Sequence, residues 1–458
     1  MTTKREFIQI TPQNVGNGTF SDRNGLNQVI FELPNVPKIC NGKSIRVSGT
    51  FKLVNGNGTT LPTNGADFFT GTAGLNDFYI DGRTGVQSCI ETLSIQNLEG
   101  TVYSTIKSYN RLCSSLIPLN ESIASYLNGG VDVLYGGLGK DVSTAKKCDA
   151  PFEFAIPILD GLFMGTEGGL DLSLLKGLRV VITLAPSNFV INNNKFRNPT
   201  SNGGLSDGGA FYELSNMKLS FEASVPPEEA QQAMMKNVNG VLEYNTYTNF
   251  YNVLQSTDHS ISLNINTGRT IAVVGNFVPS EWVNNYSYGS SKTIQPLTLN
   301  AAGNLENRLV IDEYTWLRGG MRKPLQFEVK SEIQQTLGNA NAEKNRIELN
   351  TLRDVWNVRN VVKSLKTELS NPLSDTEQAK FDRTKYSICE EDKVQQYNFG
   401  VNYDKISENG VSFKGQPLGL RIQSTLPAGQ AMTPHSIYLY VKHKNTLVIQ
   451  NGAIQVVS

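Results

Sequence analysis

Histidine is nearly absent from this 458-residue chain, which carries His259, His435 and His443 and no others. His435 and His443 have no acidic or cysteine partner at metal-ligand spacing, so the usual zinc site and the usual histidine acid–base centre lack their parts. Cysteine is also sparse. Cys40, Cys89, Cys113, Cys148 and Cys389 form an odd, widely spaced set that fits neither a disulfide framework nor paired zinc knuckles, and it reads as buried free thiols. Neither charge sign is in excess: 41 Lys+Arg offset 41 Asp+Glu, which removes the electrostatic footprint of a nucleic-acid-holding surface. Lys4 and Arg5 are too few for a DNA-condensing arm. No apolar run approaches the roughly 20 residues that cross a bilayer, and the polar start lacks the apolar region of a signal peptide. The expectation is a soluble chain made in the cytosol. Without a secretory signal, the sequons at Asn17, Asn57, Asn120 and Asn285 read as turn residues.

What is present is enough for two hydrophobic cores. A chain of 50.3 kDa with 39% hydrophobic and 18% charged residues is ordinary globular material, and its length favours two large domains over one.

The halves resemble each other. Gly42-Lys43-Ser44-Ile45-Arg46-Val47-Ser48-Gly49-Thr50-Phe51 is echoed by Gly268-Arg269-Thr270-Ile271-Ala272-Val273-Val274-Gly275-Asn276-Phe277, an offset of 268 − 42 = 226. Phe152-Glu153-Phe154-Ala155-Ile156 is matched by Tyr397-Asn398-Phe399-Gly400-Val401 at 397 − 152 = 245, and the block opening at Gly177-Leu178-Arg179 by Gly419-Leu420-Arg421 at 419 − 177 = 242. Each half then closes on an aromatic strand, at residues 211–221 and 437–449. A shared order at offsets near half the chain length predicts tandem duplication.

The repeated blocks read as strands. Ile45, Val47, Phe51 and Leu53 alternate with Arg46, Ser48, Thr50 and Lys52 at period two, as do Leu178, Val180, Ile182 and Leu184 with their neighbours. Gly/Asn/Thr-rich stretches at 54–74 and 192–209 read as loops, giving a sandwich or barrel in each half. Helices are expected at 101–116, where Val102, Ile106, Tyr109 and Cys113 fall at helical spacing, and around Leu352, Val355, Val362 and Leu365 beside Trp356. Pro226-Pro227-Glu228-Glu229 opens a further helix where a connector belongs. The predicted organisation is a first barrel at 1–225, a connector helix at 226–240 and a second barrel at 241–458.

Chemistry-bearing motifs are weak. Gly42-Lys43-Ser44 fails as a phosphate loop because Pro37 stands where the earlier glycine is needed, so a turn-to-strand role is expected. Ser173-Leu174-Leu175-Lys176 has the S-x-x-K spacing of serine acyl-enzymes without their supporting motifs. Asp160, Glu167 and Asp171 match no calcium loop and read as a solvated loop. The charged stretch 343–366 reads as a solvated face, and Tyr244, Tyr247, Phe250 and Tyr251 as strand packing or a subunit interface, since no basic cluster interleaves with them. No catalytic, cofactor-binding or metal-ligating residue is assigned.

With the duplication in hand, the chain resembles the double jelly-roll major capsid proteins of the tectivirus, adenovirus, virophage, polinton-like and large DNA virus lineage. The resemblance is architectural. It rests on an early strand pair at 28–34 and 43–54, on Ile90-Glu91-Thr92-Leu93-Ser94-Ile95 leading to Tyr109-Asn110, on Phe154-Ala155-Ile156-Pro157-Ile158-Leu159-Asp160-Gly161, and on the ending 438–449. It implies an all-β fold of two tandem eight-stranded antiparallel jelly-roll barrels with a few short helices in connecting loops. It also implies a non-enzymatic, cofactor-free protein of the virion, made in the host cell without a signal peptide. Its partners would be itself as a homotrimeric, pseudo-hexameric capsomer, neighbouring capsomers, and penton and minor or cement proteins, with no sequence-specific nucleic-acid binding. Loops at 54–74 and 284–304 would decorate the outside. The competing reading is a β-sandwich receptor- or glycan-binding spike, lectin-like, with Trp282, Tyr286 and Tyr288 touching glycan.

Overall fold

A computed structural model describes residues 4–15, 18–55, 78–80, 84–120, 151–165, 169–193, 210–283, 298–299, 301–303, 305–306, 310–323, 398–403 and 410–458. In the first half the main strands are β1 (Lys4–Ile10), β2 (Gln28–Leu33), β3 (Arg46–Asn55), β4 (Ile90–Gln96), β5 (Val102–Lys107), β6 (Phe152–Pro157), β7 (Leu178–Leu184) and β8 (Ala210–Val225). Those of the second are β9 (Gly240–Leu254), β10 (Asp258–Leu263), β11 (Thr270–Pro279), β12 (Val310–Arg318), β13 (Met321–Arg322), β14 (Asn398–Asn402), β15 (Leu418–Thr425) and β16 (His435–Gln450), with β17 (Ala453–Val457) folding back on β16.

In the first half one sheet runs β6-β3-β8-β1 and the other β2-β7-β4-β5; in the second the orders are β14-β11-β16-β9 and β10-β15-β12-β13. Each strand of the second half therefore takes the place of the strand eight positions earlier. Strands 1, 3, 6 and 8 of each set form one sheet and 2, 4, 5 and 7 the other, the two-sheet Greek-key crossing that defines a jelly roll. The ladders are antiparallel, as short connections and period-two burial require.

Sequence equivalence extends to register. The offset of 226 carries Val47 to Val273 and the offset of 245 carries Ile156 to Val401; Val47 pairs with Ile156 on β3 and β6, and Val273 with Val401 on β11 and β14. All four valine and isoleucine side chains are buried. Such agreement is what one ancestral sheet copied twice would leave, because a one-residue slip would turn the apolar face to water.

Residues 28–34 and 43–54, expected as a strand pair, lie in opposite sheets: β2 pairs with β7, and β3 with β6 and β8. A larger correction falls at 101–116. Its first part is β5, paired with β4, and helix α1 (Tyr109–Asn120) begins only after Ser108, whose φ of 49° turns the chain out of the sheet. Helical spacing of Val102, Ile106, Tyr109 and Cys113 arises across this break, and Val102 is in fact exposed. A one-turn helix α2 (Gly161–Met164) follows β6, and α3 (Glu228–Lys236) lies between the halves. In α3, Pro227 precedes the first turn, Glu228 and Glu229 sit in it and Lys236 ends it, each placement favouring the helix dipole. The second-half helix expected around Trp356 lies outside the described residues.

The first core joins both sheets through Phe31, Val180 and Ile95 on one side and Val47, Phe51 and Leu219 on the other. Phe51 stacks between Phe152 and Tyr212, ring centroids 5.1 and 5.9 Å away. In the second, Ile422, Leu420 and Trp316 meet Val273, Phe277, Ile437 and Leu439. The first cluster does not end at its own barrel: Tyr244, Tyr247, Val278, Tyr438, Tyr440, Leu447 and Ile449 of the second half belong to it.

Candidate functional site

Those shared residues mark the junction where β9, β11 and β16 meet β5, α1 and α2. Its closest approach is set by a missing side chain: a Cβ on Gly161 would lie 1.8 Å from the carbonyl oxygen of Asn245 on β9. Only glycine lets α2 and β9 come this near. Hydrogen bonds then satisfy the polar groups that the contact buries. Tyr244 Oη donates to the Tyr103 carbonyl, Tyr440 Oη to the Ser108 carbonyl at 2.9 Å, and Asn276 Nδ2 to Ser115 Oγ at 3.2 Å. Ser104 Oγ donates to Asp160 Oδ2 at 2.7 Å and lies 2.7 Å from Thr246 Oγ1. A hydroxyl carries one proton, so the Thr246 hydroxyl is the donor to Ser104.

Asp160, expected in a solvated loop, is instead fully buried because the second barrel closes over it; it caps α2 by accepting from the Leu162 amide at 2.8 Å and has no cation beside it among the described residues. Desolvation pushes its carboxyl up to about 6, against the two hydrogen bonds that favour the ionised form. On the other side of the junction burial pulls His435 and His443 down to about 4. His435 Nδ1 donates to the Thr433 carbonyl at 2.6 Å and His443 Nε2 lies 2.9 Å from Thr248 Oγ1. His259, on β10, meets Asn252 Oδ1 at 3.0 Å. The three histidines thus stand at separate places in the second half.

The remaining motifs are also engaged locally. Gly42–Ser44 is a short 3-10 turn leading into β3, and Ser44 Oγ donates to the Asn41 carbonyl and accepts from the Glu222 amide. Ser173 Oγ donates to Asp171 Oδ1 at 2.6 Å while Lys176 Nζ pairs with Glu99 at 2.7 Å, so the S-x-x-K pair is not a nucleophile and its base. Asp171 also accepts from the Ser173 and Leu174 amides, a turn-capping role. Cys40, Cys89 and Cys113 are buried and none of them is in a disulfide, with burial pushing the Cys40 thiol up to about 12. Among the described residues no group of His, Cys, Asp or Glu could hold a metal, and no helix is long and apolar enough to cross a membrane.

Of the β9 aromatics, Tyr244 and Tyr247 enter the junction, Phe250 packs on the second core, and Tyr251 stands exposed with its ring edge-on to Tyr438 at 5.3 Å. Trp282 ends a 3-10 turn. Glu167, Tyr286, Tyr288, Cys148, Cys389 and the stretch 343–366 lie outside the described residues. Arg111 is the junction residue that sequence reading missed; an arginine inside an otherwise helical pattern gives no sign that it faces inward.

No family model and no curated protein matches the sequence. Solved structures do match the fold. A chain of the PBCV-1 virus capsid aligns at a TM-score of 0.57 with 11% identity, covering 100% of this chain and 98% of that one. The Faustovirus major capsid protein aligns at 0.57 with 9% identity over 98% and 91%. A chain of the Sputnik virophage aligns at 0.54 with 11% identity over 99% and 88%. Together with the strand order, these likenesses define the fold as a double jelly roll of the kind seen in viral capsid chains.

Proposed function

We propose that this chain is a major capsid protein and that three copies form a capsomer of pseudo-hexagonal outline that tiles an icosahedral shell. The observation that carries the reading is two-way, near-complete coverage: a PBCV-1 capsid chain and the Faustovirus major capsid protein align over nearly the whole of this chain, with little of either left over. Units 1–225 and 241–458, joined by 226–240, supply the two barrels. The role is structural and non-catalytic, located in the virion, with neighbouring capsomers and penton and minor or cement proteins as partners.

The junction within one chain supports the trimer. There the second barrel seats its β14-β11-β16-β9 sheet on the β5–α1 side of the first. The first barrel's equivalent sheet turns Arg46, Ser48, Thr50, Lys52 and Lys218 outward, none of them buried. Repeating the internal packing between chains sets that polar face against a neighbour's second barrel, a head-to-tail contact that closes when three chains contribute six barrels. Its polarity suits an interface that forms after each chain has folded.

Light scattering on the purified full-length protein, with negative-stain imaging, tests this. The expected result is a species three times the 50.3 kDa chain mass with hexagonal outlines. A protein that stays at the single-chain mass at every concentration overturns it.

A further inference from the structure

Among the described residues, one charge at the junction has no neutralising partner. Arg111, in the first turn of α1, is 1% exposed, with its guanidinium carbon 4.8 Å from the Phe189 ring centroid and 4.7 Å from that of Tyr438 on β16. The guanidinium thus lies against two aromatic rings, one from each barrel. The in-plane donors are not served: Nη1 and Nη2 are shielded from solvent and have no hydrogen-bond partner. An arginine keeps its proton at any pH a protein survives, so this is a permanent buried cation.

Among the described residues, neighbouring groups do not supply the countercharge. Asp160, the other ion of the junction, is engaged by Ser104 and Leu162. Tyr440 spends its proton on the Ser108 carbonyl. Asn276, beside Tyr438 in the β11–β16 ladder, has an unpartnered Oδ1 and donates through Nδ2 to Ser115. Its amide oxygen can serve one guanidinium N–H but cannot offset a full charge. Ring quadrupoles attract a cation above and below its plane and leave the edge unsatisfied. A desolvated charge in this condition strongly favours either loss of burial or capture of an opposite ion.

We propose that the barrel junction binds one small monovalent anion, of halide size, against the Arg111 edge beside Phe189 and Tyr438. Shielding from bulk solvent selects an ion that sheds water readily, and a single cation matches a single negative charge, which disfavours phosphate. The anion acts as a pin between barrels, because Arg111 and Phe189 belong to the first barrel and Tyr438 to the second.

The test is the thermal unfolding midpoint of the full-length protein titrated with sodium chloride against sodium gluconate at constant ionic strength. Once the site is saturated, each tenfold rise in chloride multiplies the folded-to-unfolded ratio about tenfold. Arg111→Met abolishes that dependence and leaves the midpoint the same in both salts. A wild type indifferent to chloride, or a variant equally sensitive to it, overturns the proposal. Wild-type crystals grown in bromide give a second readout that needs no variant: an anomalous peak beside the guanidinium is expected, and its absence counts against the site. Neither measurement depends on trimer formation, so the anion site and the capsid reading stand or fall separately.

Discussion

Val47 and Val273 hold the same place in two copies of one sheet, as do their chain neighbours Ser48 and Val274, yet the first pair is alike and the second is not. Val47 and Val273 point into equivalent cores and are buried. On the opposite face, Ser48, Thr50 and Lys52 of β3 are replaced on β11 by Val274, Asn276 and Val278, at 4%, 0% and 1% exposure. Lys218 of β8 corresponds in the same way to the fully buried Tyr440 of β16, each paired with the matching β3 or β11 residue. The inner face was constrained by the fold and the outer face by what meets it within one chain: solvent for the first barrel, the other barrel for the second. A duplicated sheet thus records which of its copies became a junction.

The sharpest way to break this comparison is to exchange outer-face residues. Val278→Lys, which installs the first barrel's Lys52 at its equivalent, buries an ammonium without a partner and is expected to cost about 4 kcal/mol or more in urea unfolding, or to abolish soluble expression. Next in size, Gly161→Ala forces a methyl group onto the Asn245 carbonyl and is expected to lose about 3 kcal/mol, with increased hydrogen exchange along β9. If the exchange gain appears throughout both cores instead, the junction is not the place of closest fit.

Titration sharpens the comparison further, since the two sides respond to pH with opposite signs. Asp160 has a folded value of about 6, raised above its ordinary 3.8, so the stability its neutral form provides is complete below 3.8 and lost as pH rises through 6. The swing is up to about 3 kcal/mol, and Asp160→Asn removes it. His435 and His443, lowered to about 4 from 6.5, contribute stability that is complete above 6.5 and lost as pH falls toward 4. Urea midpoints from pH 4 to 8 should therefore fall less on the acid side in His443→Gln and less on the neutral side in Asp160→Asn than in wild type. Smaller still, Tyr440→Phe deletes the bond to the Ser108 carbonyl and is expected to cost about 1 kcal/mol. The smallest effect belongs to the reverse exchange: Lys52→Val removes only a 3.5 Å surface pair with Glu213 and should shift stability by under about 0.5 kcal/mol. Equal costs for Val278→Lys and Lys52→Val would dissolve the distinction between the faces.

Much of this was legible before any coordinates. Period-two alternation over 45–53 and 178–184 marked strands that the structure contains, and the four repeated segments fall on equivalent strands. The segment 101–116 misled because a strand followed by a helix, hinged at Ser108, put apolar residues at helical intervals across the break. The junction was readable only in outline. The run Ala272-Val273-Val274 on β11 departs from alternation and hints that both faces are covered, but it does not say by what.

Composition and periodicity by themselves determined the sheet-forming segments, their inner faces and the doubling of the barrel, because these follow from local backbone geometry and from burial of one face of each strand. Tertiary structure alone decided that Gly161 must lack a side chain, that Asp160 and Arg111 lie in one junction without pairing, and that the β16 tyrosines face the other barrel. Each of these depends on which distant surfaces come within a few ångströms, and strand patterning along a chain carries no information about the partner across such a contact.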